Sequence, residues 1–336
     1  MNHRIEELPI LILYPHSRCN CRCVMCDIWK TAAVEEISAE ELERHAAGIE
    51  KLRVRWVVFS GGEPLMHSDL FRLCATLRGR GVRTTILSTG LLLERHAEEI
   101  VKHVDDVIVS LDGPPATHDA IRRIHGAFER LRCGVEALRG RRPEFPVMAR
   151  CTVQRLNCGK LRETIDAAKQ IGLDSISFLA ADVTSTAFNR PQGWSPGRVA
   201  GVAPSRDESI LLEDEIDALI RTPDPFVIET SEKLRRIALH FRAQLGLAQA
   251  AAPRCNAPWV SAVVEADGNV RPCFFHPSIG NWRGGALEDV INGPAALAFR
   301  EGLDVAQDPV CRRCVCSLYL EPATPRSAGA LAEAEA

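Results

Sequence analysis

Cys19, Cys23 and Cys26 lie in one short run between Tyr14 and Trp29, with the spacing C-x3-C-x2-C. Three thiolates on one loop can hold three irons of a [4Fe-4S] cluster and leave the fourth iron without a protein ligand. A structural zinc site wants four ligands at two paired spacings, and no C-x2-C or H-x3-H partner follows close to this loop. Cys21 offers a further sulfur, but only one residue separates it from Cys23, which is tight for two ligands of one cluster. It reads as a bystander.

The bulk properties narrow the setting. The chain has 336 residues, 25% of them charged, and a formal net charge of −3, which is ordinary for a globular protein. There is no basic excess to attract nucleic acid. Residues 1–9 contain no apolar signal region, and no apolar run approaches the ~20 residues that cross a bilayer. No membrane or nucleic-acid partner and a cytoplasmic location are therefore expected. In the cytosol thiols stay reduced, so thirteen cysteines point to metal binding with a minority of buried thiols rather than to disulfides.

The residues that must position the cysteines alternate strand-like and helix-like patterns six times between Leu8 and Asp182. Strands are expected at 10–14, 55–59, 84–87, 106–110, 147–153 and 175–180, each a short apolar run buried on both faces. Ser38 and Glu41 form a capping box ahead of Leu42, Ala46 and Ile49. Leu70, Leu73, Cys74 and Leu77 make a second apolar stripe, with Cys74 a core thiol. Phe128, Leu131, Val135 and Leu138 make a third, and Leu161, Ile165 and Ala168 a fourth.

Repeated βα units build a parallel sheet by right-handed crossovers. The expected fold class is α/β: a partial (β/α)6 TIM-like barrel with a small C-terminal cysteine-rich domain. The domain boundaries are 8–186 for the barrel, 187–250 for a lid-like loop or linker with linking helices, 251–320 for the cysteine-rich domain, and 321–336 for a disordered tail. The unusual polar and glycine residues all fall at carboxyl ends of strands, where parallel sheets place their sites. Strand one runs into the cysteine loop and strand two into Ser60-Gly-Gly-Glu-Pro64. Strand three runs into Ser88-Thr-Gly90 and strand four into Ser110-Leu-Asp-Gly-Pro114. Gly61 and Gly62 allow a close backbone approach to a ligand, Glu63 supplies acceptor oxygens, and Pro64 stiffens the turn.

With these residues in view, the chain resembles a radical S-adenosylmethionine (SAM) enzyme. The matching features are Cys19-x3-Cys23-x2-Cys26, Gly61-Gly-Glu-Pro64, Ser88-Thr-Gly90 and Ser110-Leu-Asp-Gly-Pro114 followed by His118, Asp119 and Arg122. They cover Leu8 to about Asp182. The resemblance implies a [4Fe-4S] cluster on Cys19, Cys23 and Cys26, with exchangeable SAM chelating its open iron. Gly61, Gly62, Glu63 and Pro64 would hold the methionine amino group, Ser88 and Ser110 the ribose or carboxylate side, and Arg122 is a further candidate. One electron from the cluster would then split SAM to a 5′-deoxyadenosyl radical that takes a hydrogen atom from substrate. Met25 departs from the aromatic residue many relatives carry before the third cysteine, and can fill the same space.

Cys255, then Gly268 thirteen residues on, Cys273, and Cys311-x2-Cys314 resemble the SPASM or shorter twitch extensions of this superfamily. These four thiolates would complete one auxiliary [4Fe-4S] cluster, and Cys316 falls at the wrong interval for a fuller set. Asp267-Gly268 is a hairpin turn that would bring Cys255 and Cys273 together. A zinc ribbon on the same cysteines remains open. Cys133, Cys151 and Cys158 have no partner at ligand spacing. Asp182 and His276 are candidates for contact with substrate or for catalysis.

The expected function is a radical change at an unactivated C–H bond, with a flavodoxin- or ferredoxin-type reductant as partner. The substrate is a small-molecule metabolite of a biosynthetic pathway, because no peptide-recognition domain precedes strand one. Two alternatives stand beside it: a maturase of a ribosomal precursor peptide, and a non-catalytic iron–sulfur or zinc scaffold.

Overall fold

The computed structural model describes residues 3–321. The expected disordered tail, apart from Glu321, lies outside the described residues. Among the described residues, nine strands form one sheet in the order β6-β5-β4-β3-β2-β1-β7-β8-β9. They are β1 (Ile10–Leu13), β2 (Trp56–Phe59), β3 (Arg83–Ser88), β4 (Asp106–Ser110), β5 (Val147–Val153), β6 (Ile176–Ala180), β7 (Ser261–Val264), β8 (Asn269–Arg271) and β9 (Gly280–Asn281). The first six are parallel, as successive βα units require. The barrel stays partial.

Helices α1 (Ala39–Arg44), α2 (Ala46–Lys51), α3 (Leu70–Arg78), α4 (Leu93–His103), α5 (Pro115–Arg122), α6 (Ala127–Arg141) and α7 (Leu161–Gln170) lie between these strands. Leu70, Leu73, Cys74 and Leu77 are all buried on α3, and Leu131, Val135 and Leu138 on α6. They pack on Leu11, Leu13, Val57, Phe59, Val107 and Val109 from the convex face of the sheet. The alternate residues Ile10, Ile12, Trp56, Val58 and Val263 form a second apolar cluster, packed with Leu318 and Leu320 of the chain's last described turn. A register slip of one residue would exchange the two sets, so this double apolar demand pins the strands.

Three local expectations change. β5 alternates buried and half-buried residues instead of burying both faces. Val147, Ala149, Cys151 and Val153 point into the helix-covered core, while Arg150 on the other face donates to Ser177 of β6 at 3.1 Å. The Ser38 cap forms, with Glu41 N–H donating to Ser38 Oγ at 3.1 Å. The Glu41 carboxylate, however, does not reach back to Ser38. It accepts from the buried Trp282 Nε1 and from Arg283 Nε, both at 2.8 Å, because a buried indole and a guanidinium of the C-terminal part out-compete an exposed cap. Finally, the C-terminal part is not set apart from the sheet. β7 pairs in parallel with β1, Leu11 opposite Ala262, and the expected Asp267-Gly268 hairpin adds β8 antiparallel to it.

The segment after β6 holds α8 (Pro196–Ala200), α9 (Arg206–Arg221) and α10 (Ser231–Gln244). Its first part lies over the cysteine loop: Trp194 Nε1 donates to Asp27 Oδ2 at 2.7 Å, Asn189 Nδ2 to Asp27 O at 3.1 Å, and Arg198 Nη2 to Val24 O at 2.5 Å.

Candidate iron–sulfur and SAM site

The cysteine loop leaves β1 and is clamped from two sides by backbone hydrogen bonds. Arg22 N–H and Val24 N–H, on either side of Cys23, donate to Arg122 O at 3.2 Å and Ile121 O at 3.0 Å at the end of α5. Glu63 N–H donates to Arg18 O at 2.9 Å, immediately before Cys19. The glycines of that turn serve this clamp: a Cβ on Gly62 would stand 2.0 Å from Arg18 O, and Gly61, at φ +96°, packs on Tyr14. The close approach anticipated for a ligand is thus made to the cysteine loop itself.

Glu63 is fully buried. Its carboxylate accepts from Leu65 N–H at 3.1 Å, Ser88 Oγ at 3.0 Å, and Thr89 N–H and Oγ, both at 2.6 Å. Burial raises its pKa, and the Thr89, Leu65 and Ser88 donors oppose the rise. Glu63 and Ser88, from the ends of two different strands, are therefore one unit, and Pro64 starts the 3-10 turn that follows. Thr89 belongs to the unit although sequence reasoning passed over it. Its only signal was its place inside Ser88-Thr-Gly90. Ser110 is half-buried at the end of β4, opposite Arg150 of β5. Arg122 is elsewhere engaged: it lies 2.6 Å from Asp112 Oδ2 and donates to Cys23 Sγ at 3.5 Å. It belongs to the cysteine loop's surroundings.

The donor set fits a metal cluster. Burial pushes the Cys19 and Cys26 thiols up to about 12, so neither becomes a thiolate at neutral pH without a bound cation to carry the charge. Cys21 is also buried, and its thiol hydrogen bond to Cys23 is what chiefly raises its own pKa, ahead of burial. It is a neighbour of the triad within the same loop.

A second set of thiols meets beneath the C-terminal hairpin. Cys255, Cys273, Cys311, Cys314 and Cys316 line one cavity of about 390 Å³. Burial lifts Cys273 to about 11 and Cys311 to about 12, the same chemical argument for a cluster. Cys316, discounted on spacing, joins the four expected cysteines because the chain turns back after Cys314. His276 is 5% exposed, with Nε2 3.4 Å from Cys311 Sγ and its ring 4.9 Å from Phe299, and so stands beside these thiols. Asp182 is occupied by its own loop, accepting from Thr184 N–H and Ser185 N–H, both at 3.1 Å, and from Arg190 Nη2 at 2.5 Å. It orders the lid-like loop. Cys74, Cys151 and Cys158 are buried, Cys133 half-buried.

Between the two cysteine sets opens a cavity of about 490 Å³, bounded by Tyr14, Gly61, Gly62, Phe188, Arg271 and Phe274. Tyr14 and Phe274 stack with centroids 6.2 Å apart, tying the end of β1 to the residue after Cys273. A reactant here has the first cysteine loop on one flank and the hairpin on the other.

Comparison with known proteins bears on the family and the fold. A model of the radical SAM superfamily matches residues 13–166, and one of an iron–sulfur cluster-binding domain, SPASM, matches residues 255–315. The latter favours iron–sulfur over the zinc ribbon left open above. The AdoMet-dependent heme synthase of Methanosarcina barkeri is 32% identical over 159 residues, 46% of this chain and 45% of that protein. The chain matches less than half the length of the curated relatives it is similar to. In fold it is similar to Streptococcus suis SuiB bound to S-adenosylmethionine, with a TM-score of 0.65 and 14% identity over 94% of this chain and 73% of that one. SuiB has also been solved with its precursor peptide SuiA. Native anSMEcpe with bound AdoMet gives a TM-score of 0.65 and 18% identity over 91% and 86%.

Proposed function

The chain belongs to the radical SAM superfamily with a SPASM-type extension, and on that premise we propose that it takes a hydrogen atom from a small-molecule metabolite and thereby oxidises or rearranges it. It is an enzyme, as members of that superfamily are. When bound, the cluster and SAM supply a 5′-deoxyadenosyl radical strong enough to attack an unactivated C–H bond.

The observation that carries the reading is the convergence of the cysteine loop, the Glu63–Ser88–Thr89 unit and the large cavity at the carboxyl ends of β1 to β3. Cys19, Cys23 and Cys26 hold the first cluster, and four of the five C-terminal cysteines an auxiliary one. Gly61, Gly62, Glu63, Pro64, Ser88 and Ser110 surround the place for SAM, with Glu63 fixed by Thr89. Tyr14, Phe188 and Phe274 screen the reactant from water, which protects a radical from quenching. Asp182 and Arg190 hold the lid-like loop over the cysteine loop. The heme synthase among the sequence relatives supports a small-molecule substrate.

A peptide substrate is the second reading. It draws on the size and openness of the cavity and on the SuiA complex of a protein of similar fold. A flavodoxin- or ferredoxin-type protein would deliver the electron. The test is anaerobic reconstitution with iron and sulfide, addition of dithionite and SAM, and detection of 5′-deoxyadenosine. Its formation, lost in Cys23→Ala, supports the reading. A cluster-loaded protein that neither binds nor cleaves SAM refutes it in favour of the scaffold.

A further inference from the structure

Arg122 is the last residue of α5, and its guanidinium is shared between two unlike partners. Nη2 stands 2.6 Å from Asp112 Oδ2, and Nη1 donates to Cys23 Sγ at 3.5 Å. Arg122 is 6% exposed and Asp112 fully buried. The remaining donor, Nε–H, is also buried and has no acceptor among the described residues. Asp112 in turn is held from β5, where Thr152 N–H donates to its Oδ1 at 2.9 Å. The backbone locks the pair in register, since the residues before and after Cys23 are bonded to Arg122 O and Ile121 O. These backbone bonds keep Arg122 next to Cys23.

We propose that Arg122 is a positioning residue that sets the reduction potential of the cluster held by Cys19, Cys23 and Cys26, with Asp112 as its opposing charge, and that it is not a SAM contact. This rests on the proposed cluster-binding role of that loop. Reduction adds one negative charge to the cluster. A fixed cation touching a ligand sulfur, away from water, stabilises the more negative form, and an N–H···S hydrogen bond acts in the same direction. Asp112 meets the other terminal nitrogen of the guanidinium, so its charge opposes this effect. The arrangement brings reduction within reach of a cellular electron donor while the triad leaves one iron open.

The two charges make opposite demands, and that gives a readout that a merely structural role would not move. The experiment is an anaerobic redox titration followed by electron paramagnetic resonance, using the signal that changes on adding SAM to separate this cluster from the auxiliary one. Asp112→Asn keeps an acceptor for Thr152 and removes the opposing charge, so the potential rises. Arg122→Gln removes the cation, so it falls. Each shift is at least tenfold in the reduction equilibrium, equivalent to about 59 mV for one electron. Arg122→Lys keeps the charge but loses the two-armed contact, and shifts down by less than Gln. Iron-loaded Asn and Gln variants at the parent potential, or both displaced in the same direction, overturn the proposal. If Arg122→Gln takes up no iron, Asp112→Asn decides alone, and any result but a rise overturns it. A parent protein without a SAM-sensitive cluster overturns the cluster reading, and this inference with it.

Discussion

Gly62→Ala tests the clamp on the cysteine loop most directly. The new methyl carbon would stand 2.0 Å from Arg18 O, whereas carbon–oxygen contacts rest at about 3.3 Å or more. The backbones must therefore part by about 1.3 Å, and no flexible side chain is available to yield, because the obstacle is a carbonyl. The Glu63 N–H bond to the same oxygen, 2.9 Å long, is then lost. Overpacking and a stranded buried donor together cost about 2–6 kcal/mol. The loop next to Cys19 is the part free to move. The expected result is selective loss of the first cluster: iron and labile sulfide after reconstitution drop from about eight to about four atoms per chain, as one of two [4Fe-4S] clusters disappears. The auxiliary cysteines, far along the chain, keep theirs. Gly140→Ala is the control, since an added Cβ there meets nothing within 4 Å on a helix, and stability should rise by up to about 1 kcal/mol. Full iron content and undiminished 5′-deoxyadenosine formation in Gly62→Ala would refute the argument.

Further predictions follow from the same geometry. Glu41→Ala strands the buried Trp282 Nε1 and removes one partner of the exposed Arg283, and should destabilise the protein by about 1–3 kcal/mol in urea unfolding, because a buried donor loses a charged acceptor. Burial raises Glu229 to about 7, above the roughly 4.3 of an unfolded chain, so the folded protein holds this proton more tightly. Its contribution to stability is complete below about pH 4 and is lost as pH climbs through 7. Glu229→Gln should accordingly be more stable than the parent at pH 8 and nearly equal to it at pH 4, as read by paired thermal melts. Cys255→Ser and Cys273→Ser should each remove the auxiliary iron and spare the SAM-sensitive signal. The two signals separate these outcomes.

The apolar runs and cysteine spacings are local, and the fold of the first half was legible in them. Strands at Asp106–Ser110 and Val147–Val153 have the expected limits, because a buried parallel strand is continuous in sequence and bounded by its turns. The cysteine triad could be read for the same reason: its ligands sit on one loop, and their chemistry depends on spacing that the chain itself sets. Partners remote in sequence were not legible. Nothing near Ser261 says that β7 will pair with β1 rather than stand apart, and Glu41 gives no local sign that Trp282 will claim its carboxylate. Cys316 looked misplaced until the chain's return after Cys314 put it with Cys255 and Cys273. Arg122 carried a motif position but no direction, and packing of α5 against the cysteine loop turned it toward Cys23. The sequence by itself determined which groups are candidates for the chemistry, since residue type and spacing limit ligand number. Only tertiary structure decided what stands beside each of them, because burial, hydrogen-bond partners and field are properties of the packed neighbourhood.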